Sequence, residues 1–291
     1  MARESTKGAD RAEASLSYCA REVRRHDPDR FLTALFAPPA AREGLFTLYA
    51  FNHEVAKTRE VVTEALLGRI RLEWWRETVG AIYDGETPRV HEVVLPLADL
   101  IARRTLSRAR FERLIEARER DLEDGPPATL AALEDYAAGS AGSLVELALE
   151  ALGVRDAAAL EAGRSVGTAW ALTGLLRAVP FHARRRRLYL PQELLKASGA
   201  DPEAIFERGR SPGLAETVEA VAGRARHHLA AARKRRGVPR AALPALLPAR
   251  LADGYLAALG RVGFDPFALP PPEPRMGRPL SLVLAALRGA Y

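Results

Sequence analysis

The chain is almost without cysteine: Cys19 stands alone among 291 residues. A single thiol cannot close an intramolecular disulfide, so nothing points to an oxidising compartment and the fold must rest on its own core. Long apolar runs are missing too. No window reaches the ~18 apolar residues that a membrane span needs, and the late candidate Leu280 to Leu287 is far shorter. The opening stretch, MARESTKGADRAEAS, has no apolar centre and does not read as a secretory signal. We therefore expect residues 1–15 to form a disordered N-terminus and residues 16–291 a single domain. The expected location is cytoplasmic, or peripheral on the inner membrane face. Strand-type alternation and internal repeats are also absent, which leaves no basis for a sheet or a solenoid.

What is present is helical. Ala, Leu and Arg dominate, all good helix formers, and hydrophobic residues make up 48% of the chain, as suits a globular protein. Helical spacing predicts segments over Leu16 to Arg25, about Ala40 to Thr63, Arg69 to Tyr83, Val90 to Arg103 and Arg108 to Glu123. After the break at Asp124-Gly-Pro-Pro, helices are expected over a segment that Thr129 begins and Glu134 to Leu152 continues, over Asp156 to Leu176, about Gly213 to Arg236 and Leu280 to Arg288. A Pro/Gly-interrupted connection should follow Pro191, and PFALPPPEP should be extended. The small-residue patch AAGSAGS, within the Glu134 to Leu152 helix, permits a close helix approach. The fold class is all-α. The net charge of +6 suits an anionic lipid or an acidic partner, or simply reflects an Arg-rich surface. Aromatics do not interleave with the basic runs, so nucleic acid is not expected as a partner.

One stretch organises the rest: LLRAVPFHARRRRLYLP, from Leu175 to Pro191. Ala178 and His182 stand four apart, on one helix face. Pro180 between them removes a backbone donor and collides with the carbonyl of Leu176, so the helix should break between Leu176 and Pro180. Arg184 to Arg187 then follow without interruption, making the locality positive. A second stretch, LYAFNHEVAKTRE (Leu48 to Glu60), carries Tyr49, Ala56, Lys57 and Glu60.

The frame L-R-x-x-x-x-x-x-R-R-x-x-x-L-P resembles the second aspartate-motif region of the squalene/phytoene synthase family. Leu48 to Glu60 resembles that family's Y-A-F-x-R-x-x-D-D-x-x-D helix. The resemblance extends upstream through RFLTALFAPPAAREGLFTLYAF. It continues downstream through EWWRETVGAIYDG, the Tyr136–Ser143 patch and ADGYLAALGRVGFDPF. It implies an isoprenoid-synthase-like helical domain around a central cavity. In detail the form is similar to a divergent branch that includes the mitochondrial complex I assembly factor 6 family. The acidic positions of the two motifs fall on Ala56, Lys57, Glu60, Ala178 and His182, and of these only Glu60 is a carboxylate.

Family synthases ionise an allylic diphosphate with Mg²⁺ held by two facing carboxylate clusters. Mg²⁺ requires near-octahedral oxygen ligands. Ala56 and Ala178 supply none, and His182 is a poor ligand. The charge of Lys57 at ~5 Å from a divalent ion would cost roughly 6–7 kcal/mol at an effective dielectric of ~20. The resemblance thus implies a non-catalytic protein without a cofactor that assists complex I assembly, with complex I subunits or anionic membrane lipid as partners. Two alternatives stay open. One is a prenyltransferase of the synthase type, which would need Mg²⁺. The other is a lipid- or quinone-binding protein that takes a prenyl chain.

Candidate anion- or ligand-binding residues are Tyr49, Arg177, His182, Arg184 and Arg185, since arginine forks suit diphosphate, lipid headgroups or acidic surfaces. The blander readings are a solvated charged turn for the Arg run and a hydrogen-bonded polar residue for His182. Glu60 reads as a surface acid paired with a neighbouring base. Zinc at His182 is disfavoured because no second His or Cys stands at ligand spacing. Trp74 and Trp75 read as core, and the basic helix end HHLAAARKRR as a solvated face.

Overall fold

A computed structural model describes residues 16–62, 64–270 and 277–291. The expected disordered segment 1–15 lies outside the described residues, as does part of the PFALPPPEP connector. Among the described residues every regular element is helical. The first three helices are α1 (Tyr18–His26), α2 (Pro28–Ala34) and α3 (Pro39–Ala56). Asp27 closes α1 and opens α2: its carboxylate accepts from the Arg30 amide at 3.0 Å, and Pro28 takes the first helical position. Proline is favoured there because its missing N–H would have no partner in any case.

The helix expected over Ala40 to Thr63 is interrupted. α3 stops at Ala56, Lys57 forms a turn, and a short α4 (Thr58–Val61) follows. The β-branched run Val61, Val62, Thr63 is a weak continuation signal, and Val62 is already extended (φ −116°, ψ 146°). α5 (Ala65–Tyr83) begins earlier than the periodicity predicts. Of the apolar stripe that helical spacing makes of Leu72, Trp75, Val79 and Ile82, it buries the first three and leaves Ile82 partly buried. Trp75 meets Phe51 edge-on at 5.3 Å, and Phe51 meets Phe111 likewise. Trp75 is therefore core; Trp74 is only partly buried, with Arg89 5.2 Å from its ring.

α6 (Val94–Arg103) and α7 (Arg108–Glu119) come next, and a 3₁₀ turn (Arg120–Leu122) ends α7. The segment expected to begin at Thr129 and continue through Glu134 to Leu152 starts there, with Thr129 capping α8, but has three parts: α8 (Leu130–Ala137), a π-helical turn (Ala138–Gly142) and α9 (Ser143–Ala151). The long α10 (Ala157–Arg177) lies against this π turn. A Cβ added at Gly167 of α10 would sit 2.3 Å from the Ala141 carbonyl oxygen, so only glycine permits the approach. This is the close approach that the small-residue patch permits, and its partner across the gap is glycine as well.

α10 ends at Arg177. Ala178 caps it, and a short α11 (Val179–Ala183) starts with Pro180 in its first turn. The break predicted between Leu176 and Pro180 is present. The connection expected after Pro191 instead holds two helices, α12 (Gln192–Ser198) and α13 (Pro202–Arg208), each closed by a left-handed glycine, Gly199 and Gly209. α14 (Leu214–Arg233) packs along α10. A 3₁₀ turn (Arg240–Ala242), α15 (Leu243–Leu246) and α16 (Pro248–Arg261) follow. Pro266–Ala268 is another 3₁₀ turn rather than extended chain. α17 (Gly277–Arg288) buries Leu282 and Ala285 against Leu243, Leu247 and Leu251. At the basic end of α14 Arg233 to Arg236 are exposed, as a solvated face would be, with Arg233 meeting Asp253 and Arg235 meeting Glu161, while further back Arg224 and His228 meet Glu134.

Candidate functional site: a cationic pocket

A cavity of about 430 Å³ opens where α3, α4, the end of α7, α8 and the α10–α11 junction converge. That volume lies within the range of small-molecule sites. α3 and α4 present His53, Ala56, Lys57 and Glu60 to it. Their i, i+3, i+4, i+7 spacing is one helical face carried across the turn at Lys57. The opposite wall holds Phe181, His182, Arg185, Arg187 and Tyr189, and the floor holds Arg118, Asp121 and Tyr136.

The charge is predominantly positive. Lys57, Arg59, Arg118, Arg185 and Arg187 line the pocket, against the carboxylates of Glu60 and Asp121. Lys57 pairs with the buried Glu54, 2.5 Å away, which also holds Arg71 at 2.8 Å. Among the described residues Arg59, Arg185 and Arg187 have no carboxylate partner. Arg59 reaches only the Val62 carbonyl, at 3.4 Å. Arg185 lies over the Phe181 ring at 3.8 Å, and Arg187 donates to the Asp121 backbone carbonyl. Glu60 is exposed, as a surface acid would be, but the neighbouring base expected for it is missing among the described ion pairs.

Asp121 is the centre of the floor and only 5% exposed. One carboxylate oxygen accepts from the hydroxyls of Tyr136 (2.9 Å) and Tyr189 (2.7 Å). The other accepts from Arg118 at 3.3 Å, and Arg118 also donates to the Tyr136 hydroxyl at 2.7 Å. Burial foremost, and then the Asp121 charge, hold both phenols above their usual pKa, so both remain donors. Both carboxylate oxygens are thus already committed within the protein.

His182 is neutral. Burial first, and then Arg187 and Arg185, lower its pKa from 6.5 to about 4, with Asp121 opposing. Its ring packs on Tyr189 (4.8 Å) and Phe181 (5.4 Å), and among the described residues no side-chain hydrogen bond accompanies it, where a hydrogen-bonded residue was the blander expectation. Between pH 6.5 and about 4 the unfolded chain takes up a proton that the folded chain refuses, so stability falls on acidification through this window. His182→Gln should shrink the drop in melting temperature between pH 7 and pH 5. An unchanged drop would mean that His182 titrates normally.

The remaining candidates sit elsewhere. Tyr49 lies one turn deeper on α3, only 3% exposed, facing the Arg30 guanidinium at 5.7 Å rather than the pocket. Arg177 stacks on the Tyr255 ring at 3.5 Å, drawn away by α16. Arg184 is exposed and Ala178 half-buried, and neither lines the cavity. The run Arg184 to Arg187, expected to bind an anion, does bring Arg187 to the pocket, whereas Arg118, Asp121, Tyr136 and Tyr189 are site residues that the sequence reading misses. They come from three separate segments, and the one sequence signal was that Tyr189 falls inside the Leu175 to Pro191 stretch. His53 adds a second unforeseen contact. Its ring stacks on His26 at 4.2 Å, with Glu22 nearby, the one group of three metal-capable side chains found among the described residues.

Comparison with known proteins agrees with this architecture. A family model described as squalene/phytoene synthase matches residues 23–280. The complex I assembly factor 6 of Bos taurus is 32% identical over 280 residues, covering 94% of this chain and 82% of that protein. A presqualene diphosphate synthase of Rhodopseudomonas palustris is 30% identical over 203 residues, covering 68% of this chain and 70% of that protein. The crystal structure of a squalene synthase from Alicyclobacillus acidocaldarius superposes with a TM-score of 0.75 at 25% identity, over 86% of this chain and 94% of that one. The fold is that of the isoprenoid synthases.

Proposed function

Because the chain belongs to the squalene/phytoene synthase family yet carries Ala56, Lys57, Ala178 and His182 at that family's acidic positions, we propose that it is a non-catalytic member assisting assembly of respiratory complex I. The observation that carries this reading is the inverted charge of the pocket. Five cations line it against two carboxylates, and Asp121 is already engaged by Tyr136, Tyr189 and Arg118. Glu60 alone remains as a free oxygen donor. One carboxylate does not make the two facing clusters that hold Mg²⁺ around a diphosphate, so the protein works without a metal cofactor. The relatives named complex I assembly factor 6 supply the role, since their similarity runs along nearly the whole chain.

The likeness to presqualene diphosphate synthase supports the enzyme reading more weakly, because it extends over less of the chain. The retained cavity favours a second element of the same reading: the pocket binds an anionic lipid or a prenyl-type ligand while the protein acts on complex I subunits at the membrane. No helix among the described residues is long and apolar enough to cross a bilayer, and we place the protein peripherally on the inner membrane face.

Removal of the protein from its cell should lower assembled complex I and NADH:quinone activity in membranes, and should leave carotenoid, hopanoid and other prenyl products unchanged. Arg185→Glu should reproduce the loss without unfolding the protein, since exposed substitutions shift stability by about ±0.5 kcal/mol. Normal complex I together with a missing prenyl lipid would return the chain to the synthases.

A further inference from the structure

Four large apolar side chains stand in solvent within residues 61–70: Val61 (57% exposed), Leu66 (62%), Leu67 (47%) and Ile70 (57%). Val61 ends α4, and its neighbour Val62 lines the cationic pocket. Leu66, Leu67 and Ile70 open α5. Their i, i+3 and i, i+4 relations make one ridge, while Gly68 and Leu72 turn into the core. α4 is in contact with α5, which brings Val61 near the helix that carries the ridge. Scattered exposed leucines are ordinary, but a contiguous group beside a pocket is a recognition feature.

The charges around the ridge indicate what it meets. Arg59 is two residues before Val61, and Arg69 lies exposed between Leu67 and Ile70. Neither has a carboxylate partner among the described residues, nor do Arg185 and Arg187 within the pocket. Glu60 and Glu64 are the acids of the strip and equal Arg59 and Arg69 in number, so the positive excess comes from Arg185 and Arg187 of the adjoining pocket. Protein–protein interfaces are depleted of unpaired charge at their centres. Apolar side chains set among unpaired arginines instead match a surface that is negative outside and apolar just beneath, that of an anionic bilayer.

We propose that the ridge Val61, Leu66, Leu67 and Ile70 docks the protein on an anionic phospholipid bilayer, with one lipid phosphate entering the pocket between Lys57, Arg59 and Arg185. The proposal deepens the peripheral placement given above. The ridge sits at the headgroup–acyl boundary and orients the pocket mouth toward the membrane. The pocket's unpaired guanidiniums then take the phosphate directly, with no divalent ion between them.

The test is flotation of the purified full chain with vesicles of phosphatidylcholine alone or with added phosphatidylglycerol, at low and raised salt. Binding should require the anionic lipid and fall with salt. Leu66→Ser with Leu67→Ser and Ile70→Ser should weaken it tenfold or more, roughly the apolar area withdrawn. Arg59→Glu with Arg185→Glu should weaken it about thirtyfold or more. Inorganic pyrophosphate should compete if the pocket takes the phosphate, and its failure to compete would overturn that part of the proposal. The stripe Leu280, Leu284 and Leu287 on α17 is the control. It is as exposed as the ridge, but the cavity beside it shares no lining residue with the cationic pocket. Leu280→Ser with Leu284→Ser and Leu287→Ser should leave vesicle binding unchanged. Thermal melting of each variant shows that it is folded. Absence of binding, equal binding to neutral vesicles, or loss in the α17 variant alone would overturn the docking. So would a ridge variant that floats normally but no longer co-purifies with complex I subunits. Failure of docking with complex I still dependent on the protein would leave the proposed function standing.

Discussion

Asp121→Ala should destabilise the protein by about 3–5 kcal/mol, the cost of removing one partner from a buried charge pair. The reason is what the substitution leaves behind. Arg118 would keep a buried guanidinium without its carboxylate, and the Tyr136 and Tyr189 hydroxyls would both lose their acceptor. An orphaned buried donor carries its full desolvation penalty, whereas an apolar pair in its place does not. Asp121→Asn should cost less, because the amide oxygen still accepts from the phenols while the charge on Arg118 goes unanswered. Denaturant titration of the three proteins measures this. A loss below about 1 kcal/mol for Asp121→Ala would show that water reaches the network and satisfies it.

Purified protein supplied with farnesyl or geranylgeranyl diphosphate and Mg²⁺ should form no squalene- or phytoene-type product. Ionising an allylic diphosphate requires the leaving group's charge to be neutralised as it develops. Here the positions that would hold the metal bear Ala56 and Ala178, which offer no oxygen, and Lys57, whose ammonium repels a divalent ion. Lys57 is held in place by Glu54 beneath it, so it is a fixed part of the wall. The expected difference from an active synthase is the whole turnover, which for typical enzymes is ~1 per second or faster. Product formation at such a rate, dependent on added Mg²⁺, would overturn the non-catalytic reading.

Much of the architecture follows from local sequence. Helical periodicity places the α5 stripe of Leu72, Trp75 and Val79, because residues three and four apart share a face whatever packs against them. Pro180 breaks the helix after Arg177 for a reason internal to one residue, its missing N–H and its ring. The small patch AAGSAGS, Ala137 to Ser143, announces a close approach, since only small side chains leave room for another backbone. Aligned on the motifs of the squalene/phytoene synthase family, Ala56, Lys57, Ala178 and His182 stand where the resemblance implies carboxylates. None of these conclusions needs a long-range contact.

Which side chains form the pocket was decided only by the tertiary structure. Asp121 meets Tyr189 across 68 residues of chain and Tyr136 across 15, and local spacing carries no information about such meetings. Tyr49 and Arg177 belong to the two motif stretches, yet one is buried against Arg30 and the other is drawn onto Tyr255. A motif assigns a residue to a helix. The direction its side chain takes depends on which neighbouring helix offers a ring or a charge, and helix packing sets that. The positive pocket has the same origin. Its residues come from α3, α4, the end of α7, α8 and the chain after α10, and only their convergence puts five cations around one cavity.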